Sequence, residues 1–135
     1  MTIVIRPLLI DFAVIGKPVS LRSRKTKQLW QSLVAEAAQE RLGKTFRLDG
    51  KLDMQIDWFS RKYQNTADVD NILKPIVDAL KNIIYVDDNQ VSSISARHHD
   101  TNSVITFISE PVYIIEPLLA GEREYVYIRI YEVFD

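Results

Sequence analysis

Residues 67–91 read ADVDNILKPIVDALKNIIYVDDNQV, and their apolar side chains recur at spacings of three, four and seven. That spacing predicts an amphipathic helix. Asp70, Lys74 and Asp78 share its polar stripe with Lys81, because residues four apart lie on one helical face. A second acidic pair, Asp87 and Asp88, follows the helix. We therefore expect the chain to fold back there and form one acidic pocket.

Pro75 introduces a conflict within this helix, because proline lacks an N–H donor and disfavours helix at the residue before it. The helix either begins near Val69 and kinks, or becomes regular at Pro75. The unbroken apolar spacing over residues 69–80 favours the kinked helix. Asn82 is a plausible left-handed residue at its end.

The chain before this stretch contains two predicted strands and a helix. Residues 3–15 are nearly all apolar and predict a buried strand that ends at Gly16, with Pro7 marking a bulge, an edge or the true start of the strand. Residues 25–42 predict a helix that stops at Gly43. Its expected apolar face is Leu29, Trp30, Leu33, Val34, Ala37, Ala38 and Leu42. Residues 51–58 alternate apolar and polar side chains, which indicates a half-buried strand, antiparallel to a neighbour.

The chain after the central helix consists mainly of strand-like segments. Residues 91–98 and 124–134 predict strands, and residues 104–108 and 112–115 form a further apolar stretch broken by Pro111. The order strand, helix, strand, helix and then two or three strands predicts a single α/β domain over residues 1–135. We expect a mixed β-sheet packed against two main helices.

Composition restricts the chemistry of any metal site. The chain has no Cys and only two His, His98 and His99, which excludes thiolate sites and disfavours a His-rich site. Carboxylates would hold a metal, and they suit Mg²⁺, Mn²⁺ or Ca²⁺. No apolar run approaches ~18 residues and no signal-peptide pattern is present, so we expect a soluble cytoplasmic protein without membrane contact.

Charge is unevenly distributed along the chain. Residues 1–62 hold 12 Lys and Arg against 6 Asp and Glu, whereas residues 63–135 hold 5 against 12. The basic part can attract nucleic acid although the whole chain carries a net charge of −1. An ordinary solvated surface, without a nucleic-acid partner, explains the same distribution of charge equally well. The candidate phosphate contacts are Lys17, Arg22, Arg24, Lys25, Lys27, Arg61 and Lys62.

Asp68 and Asp70 point the same way in an extended chain, so both carboxylates can reach one ion. The same pair suits the start of a helix, where Asp caps free N–H groups. An EF-hand is excluded because Ile72 occupies the fifth ligand position. Acids, one Lys and basic segments together are the groups that metal-assisted phosphodiester hydrolysis requires.

The motifs resemble those of the RusA family of Holliday-junction resolvases. Residues 68–74 match its Asp-x-Asp-Asn-x-x-Lys segment, residues 78–80 match Asp-Ala-Leu, and residues 87–90 match Asp-Asp-x-Gln. The resemblance is close over about 25 residues. Ala67 and Asn82 depart from it, because Pro and Gly are frequent at these positions in the family.

The resemblance implies a homodimeric, Mg²⁺-dependent endonuclease, with Mn²⁺ a possible substitute, that resolves four-way DNA junctions by paired symmetric nicks. It implies catalytic and metal-binding roles for Asp68, Asp70 and Asp88, and an essential basic role for Lys74. Asp87 is a metal ligand or supports one. Asn71, Asp78 and Gln90 match motif positions whose roles include purely structural ones.

Two other functions stay open at this point. A dimer that binds branched DNA without cutting it needs only a basic surface, such as that of residues 17–27. A related metal-dependent nuclease could act on another DNA structure. Intact acids at all four positions count against the first of these alternatives.

Overall fold

The computed structural model describes residues 1–3, 5–18, 24–43, 47–61, 69–102 and 111–133. Within them the chain forms four strands, three α-helices and three 3₁₀ turns. The strands are β1 (Leu8–Ile15), β2 (Leu52–Ser60), β3 (Val91–Asp100) and β4 (Tyr125–Glu132). The helices are α1 (Arg24–Leu42), α2 (Leu73–Leu80) and α3 (Glu116–Leu119). The 3₁₀ turns are Val69–Ile72, Asp88–Gln90 and Val112–Ile115.

The four strands form one mixed sheet in the order β1-β4-β2-β3. β4 is antiparallel to both β1 and β2, whereas β2 and β3 are parallel. The expected mixed α/β sheet is therefore confirmed. The predicted antiparallel neighbour of β2 is β4. Its parallel partner β3 follows from the connection through α2, since parallel strands require a crossover segment.

One face of the sheet carries the main core. Alternate residues of β2, Leu52, Met54, Ile56 and Trp58, are buried against the helices. α1 supplies Trp30, Val34 and Ala38, which recur every four residues and therefore share one helical face. Trp30 is a core residue, as the sequence predicted.

The opposite face of the sheet has a smaller core beneath the segment that leads into α3. Phe59, Tyr125 and Tyr127 pack there with Ile114. β4 is consequently covered on both faces, and its residues 125–130 are all buried. The alternation of polar and apolar residues in β4 therefore does not correspond to an exposed and a buried face.

The first strand and the first helix differ in how well the sequence predicted them. β1 begins at Leu8, so Pro7 marks the true start of the strand, which is one of its three predicted roles, and Ile3 and Ile5 before it are exposed. The predicted buried face of the first helix is wrong in part. Leu29 and Leu33 were expected on the buried face of α1 but are 63% and 44% exposed. α1 contacts the core through one narrow stripe, so its flanking apolar residues remain outside.

The helical region of the central stretch begins at Val69, as the apolar spacing predicts. It changes from a 3₁₀ turn to α-helix at Leu73, and this change takes the place of the predicted kink. Pro75 is the third residue of α2, within the first turn, where the missing N–H needs no helical partner. Its carbonyl accepts a hydrogen bond from Gln31 of α1 at 3.0 Å.

The predicted strand content of the last third needs one correction. Residues 112–115 form a 3₁₀ turn that continues into α3. The short helix α3 therefore lies between β3 and β4 in the chain. Pro111 and Pro117 explain the change, because proline suits the first turn of a helix and disrupts strand pairing. Residues 104–108 lie outside the described residues. No helix in the described part is long and apolar enough to cross a membrane.

Candidate active site

The polar stripe of α2 carries the predicted basic residue. The Lys74 ammonium lies 3.4 Å from the Asp78 carboxylate, one turn further along the helix. The Lys74 side chain is 66% exposed. A pair this exposed adds little stability, so its contribution to the fold does not explain the presence of Lys74.

Tyr85 is the buried residue that closes the end of α2. Its hydroxyl donates a 2.6 Å hydrogen bond to the carbonyl of Val77, one of the last helical carbonyls. The backbone N–H of Ile84 satisfies the Leu80 carbonyl at 2.9 Å. Asn82 has φ of +68°, which confirms the predicted left-handed residue. The chain therefore reverses tightly after α2.

Two carboxylates from the predicted motif influence the ionisation of Tyr85. Burial raises the pKa of Tyr85, and the negative charges of Asp88 and Asp78 raise it further. Both carboxylates therefore act electrostatically on the same side chain. The fold-back after α2 therefore leaves Asp88 within electrostatic reach of Tyr85.

Asp87 caps the 3₁₀ turn that follows. Its side chain accepts a hydrogen bond from the backbone N–H of Asn89 at 2.9 Å. The Gln90 side chain accepts in return from the N–H of Asp87 at 3.1 Å, which completes a capping box. The exposed Asp87 is therefore positioned as a structural cap.

Gln90 also attaches this turn to the rest of the domain. Its amide nitrogen donates to the carbonyls of Leu48 and Gly50 at 3.0 and 2.9 Å. Its oxygen also accepts from the N–H of Val86 at 3.0 Å. A single amide side chain thus connects the Asp87–Asp88 turn to the segment that enters β2. Gln90 matches its motif position for a structural reason.

The surroundings of Asp87 favour the ionised form of its carboxyl group. The N–H of Asn89 lowers the pKa of Asp87, with further lowering from a hydrogen bond involving the Asp88 side chain and from the charge of Lys81. The two neighbouring carboxyls are therefore close together. Paired carboxylate oxygens are the ligands that Mg²⁺ and Ca²⁺ prefer.

The remaining predicted acids are only partly placed. Asp68 lies outside the described residues, and Asp70 lies in the 3₁₀ turn before α2 with its side chain outside the described part. Among the residues that are described, no group of three or more metal-ligating side chains occurs. Asp78 follows Asp70 by eight residues, about 12 Å along a helix axis, so the two cannot hold one ion.

The predicted phosphate contacts are also partly described. Lys17 is exposed just after β1, Arg61 is exposed just after β2, and Lys27 is partly exposed in α1. Arg24 and Lys25 belong to the first turn of α1, not to a loop, and their side chains are not described. Arg22 and Lys62 lie outside the described residues.

A charged cluster that sequence reasoning missed lies on the sheet. Asp57 is buried and binds Arg97, Arg129 and His99 at 2.8, 3.0 and 2.7 Å. His98 stacks on Trp58 and hydrogen-bonds the Ser60 hydroxyl. His98 and His99 both lie near the end of β3. Asp57 and Arg129 alternate with the apolar residues of their strands, so the sequence pattern carried no signal that they are buried.

The chain is similar to one known protein family. A family model described as Endodeoxyribonuclease RusA matches residues 15–109 of the chain. The matched region includes the whole of residues 67–91 and all of the predicted phosphate contacts. A search of curated proteins gave no match.

Proposed function

The chain belongs to the RusA endodeoxyribonuclease family, a family of Holliday-junction resolving nucleases, and on that premise we propose that it cuts four-way DNA junctions by Mg²⁺-dependent phosphodiester hydrolysis. The observation that carries the proposal is the family match over the stretch that holds Asp68, Asp70, Lys74 and Asp88. The anchored turn that presents Asp88 supports it.

We assign the metal to Asp68, Asp70 and Asp88. Asp87 caps its own turn with its carboxylate, which favours Asp88 as the ligand from this pair. Asp78 pairs with Lys74 and is too far along α2 to share an ion with Asp70. The all-carboxylate donor set suits Mg²⁺, and Mn²⁺ is the natural substitute.

When bound, the ion would polarise the scissile phosphate and lower the pKa of an attacking water. Lys74 contributes a separate positive charge on the exposed stripe of α2. There it can contact a non-bridging phosphate oxygen and stabilise the charge that develops as the bond breaks. Tyr85 and Gln90 act indirectly, because they hold the turn that carries Asp88.

The first turn of α1 supports contact with the DNA backbone. It holds Arg24, Lys25 and Lys27 and no acidic residue. Cations are unfavourable at a helix N-terminus, where the dipole is positive. A phosphate bound there would be attracted both by the dipole and by these side chains. We therefore propose this turn, with Lys17, Arg22, Arg61 and Lys62, as the surface that binds the junction arms.

Symmetric cutting of a junction requires two active sites related by two-fold symmetry. We therefore propose that the chain acts as a homodimer. Each protomer would cut one of two opposed strands.

The proposal is tested by nicking of a labelled four-way junction beside a linear duplex of the same sequence, with Mg²⁺ and with EDTA. Asp70→Asn is the test variant, because the change removes a charge and preserves the size of the side chain. Asp49→Asn is its matched control, since Asp49 is exposed outside the motif.

We expect paired cuts in opposed strands of the junction, lost in EDTA and in Asp70→Asn, and kept in Asp49→Asn. Junction binding without cuts in either metal would instead identify a binding protein. Equal cutting of the linear duplex would retain the metal chemistry and reject selectivity for branched DNA.

A further inference from the structure

A groove of about 780 Å³ runs along the outer edge of β1, the strand at one end of the described sheet. β1 forms its floor, α1 forms one wall, and residues 113–122 form the other wall. Phe12 and Val14 pack with α1 in the main core, whereas Ala13 packs against the smaller core on the opposite face of the sheet. The groove therefore follows the edge of the strand, between the two layers that cover the sheet.

We propose that this edge binds an extended, basic peptide segment of a partner protein, which adds to the sheet as a further strand beside β1. In this mode of recognition the peptide backbone pairs with the strand edge, and contacts with the walls select the side chains of the peptide. The proposal uses no metal and no DNA. It is therefore independent of the nuclease function proposed above.

The pairing of β1 with β4 determines which backbone groups point outward. The N–H of Gly16 donates to the carbonyl of Glu124 at 3.1 Å, and this pair continues the register in which Ile15 faces Tyr125. Alternate residue pairs of an antiparallel ladder exchange such bonds. Residues 12 and 14 therefore also bond to β4, and the N–H and C=O groups of residues 11, 13 and 15 point away from it.

These outward groups belong to residues that line the groove, namely Asp11, Ala13 and Ile15. The Asp11 carbonyl accepts a hydrogen bond from Nε of Arg41 at 3.0 Å, which shows that it points outward. Between described residues, no hydrogen bond is made to the outward groups of Ala13 and Ile15. Arg41 therefore closes one end of the edge, and residues 13–15 remain open to an added strand.

Charge favours a basic occupant. Four carboxylates and one cation, Arg41, line the groove, so these groups carry a net charge of −3. Arg41 pairs with Asp11 at 3.5 Å. The other three acids, Glu40, Glu116 and Glu122, are exposed, and none forms an ion pair with another described residue. Lys or Arg side chains of an added strand would be attracted to them, whereas the phosphates of DNA would be repelled.

The same charge argues against a second copy of the chain as the occupant. Pairing of β1 with β1 of another copy would bring the same edge and the same three acids together, so like charges would face each other. A basic segment of a different protein meets no such repulsion. The homodimer proposed above would accordingly use another surface.

The test uses a blocked heptapeptide of sequence KVKTKVK and its acidic counterpart EVETEVE. NMR follows hydrogen exchange at the individual amides of β1. We expect the basic peptide at about ten times its Kd to slow exchange at Ala13 and Ile15 about tenfold, because their outward N–H groups gain a partner. Phe12 and Val14 already bond to β4 and serve as internal controls. The acidic peptide should leave all four amides unchanged.

Ala13→Pro is the first test variant, because proline removes the outward N–H and is tolerated on the open side of an edge strand. Ala13→Gly is its matched control, since glycine also weakens a strand but keeps the N–H. We expect Ala13→Pro to lose peptide binding and Ala13→Gly to retain it. Slow exchange at Phe12 and Val14 in both variants would show that β1 still pairs with β4.

The double variant Glu116→Gln and Glu122→Gln tests the charge of the groove without changing the strand. Loss of two exposed charges should weaken binding of the basic peptide roughly fivefold. Glu36→Gln is the control, because it removes the same charge from an exposed position of α1 outside the groove. We expect Glu36→Gln to bind the peptide as the native chain does.

Three results of these measurements would overturn the proposal: no saturable binding of the basic peptide, binding without protection of Ala13 and Ile15, or equal binding of the acidic peptide. Sedimentation of the native chain and the two Ala13 variants completes the test. A dimer that is lost in Ala13→Pro and kept in Ala13→Gly would identify a second copy as the occupant and would also overturn the proposal. An unchanged mass in both variants supports a separate partner.

Discussion

Individual residues of the motif separate into chemical and structural roles. Asp87 and Gln90 complete a capping box, and Gln90 also donates to two carbonyls of the preceding connection. Lys74, by contrast, is exposed, and within the part of the chain that the structure describes its ion pair is the long one with Asp78. A residue that contributes little to the fold and matches the family motif is the best candidate for a chemical role.

Replacement of Lys74 by Gln should separate these roles. We expect a change in unfolding free energy within about 0.5 kcal/mol, because an exposed helix pair contributes little. We expect junction cleavage to fall by 10²-fold or more, on the order of what one positioned charge donor contributes. Single-turnover nicking and urea unfolding measure the two effects.

Lys81→Gln is the control for this change, since Lys81 is an exposed lysine at the end of the same helix. It should leave both quantities near their original values. Full cleavage by Lys74→Gln would remove Lys74 from the active site.

Asp57 should control the acid stability of the domain. Burial raises its pKa, but the hydrogen bond from His99 and the charges of Arg97, His99 and Arg129 outweigh burial, so the folded pKa is below the ordinary value. Its stabilising contribution is therefore fully present above the unfolded pKa of about 3.9 and is lost as pH falls through the lower folded value.

Asp57→Asn should remove that pH dependence. It should also destabilise the domain by about 3–5 kcal/mol at pH 7, because the buried Arg129 loses its anion. Urea unfolding at several pH values between about 3 and 7 tests both points. An unchanged slope of stability with pH would show that other carboxyls dominate.

At the scale of elements, α2 and the turn after it form one unit. The Tyr85 hydroxyl binds the Val77 carbonyl, and the N–H of Leu48 donates to the Ile84 carbonyl at 2.7 Å. Gln90 connects the same turn to Leu48 and Gly50. The position of Asp88 therefore depends on contacts between α2, the 3₁₀ turn and the segment before β2.

Gln90→Glu should loosen this unit without removing any proposed ligand. The carboxylate can still accept from the N–H groups of Val86 and Asp87, but it cannot donate to the carbonyls of Leu48 and Gly50. Unsatisfied carbonyls cost about 1–3 kcal/mol. We expect faster amide exchange at residues 85–90 and weaker Mg²⁺ activation of cleavage.

Asn89→Asp is the control for this variant, because it places a new carboxylate in the same turn and leaves the Gln90 contacts intact. Its exchange rates at Leu48 and Val86 should stay close to those of the native chain. Equal loosening in both variants would mean that added negative charge, and not the lost donors, is the cause.

At the scale of the whole molecule, the sheet provides a rigid base with different uses for its two faces. α1 and α2 cover one face, and α2 leads to the acidic turn. The other face holds the Phe59 and Tyr125 cluster and the Asp57 cluster. The acidic turn and the Asp57 cluster therefore lie in different parts of one small domain.

Dimer formation is the prediction that belongs to this scale. Sedimentation at micromolar concentration should give twice the 15.6 kDa chain mass. Mixing active protein with excess Asp70→Asn should yield mixed dimers that nick only one strand of a junction. A monomer that still makes paired cuts would contradict the two-fold argument.

The sequence alone determined the α/β class, the start of the helical stretch at Val69, the end of α1 before Gly43 and the left-handed Asn82. These features depend on local periodicity and backbone preference, which neighbouring residues specify. The sequence was also sufficient to identify the motif residues and the family, because both are defined by residue spacing along the chain.

Only the tertiary structure decided which apolar residues are buried and which polar residues meet. Leu29 and Leu33 are exposed because α1 touches the core along one stripe, and β4 is buried on both faces because one core cluster packs on each side of it. Asp57, Arg97 and Arg129 come from three strands far apart in sequence, and only strand order makes them neighbours. Burial and long-range pairing are properties of packing, which local sequence patterns do not specify.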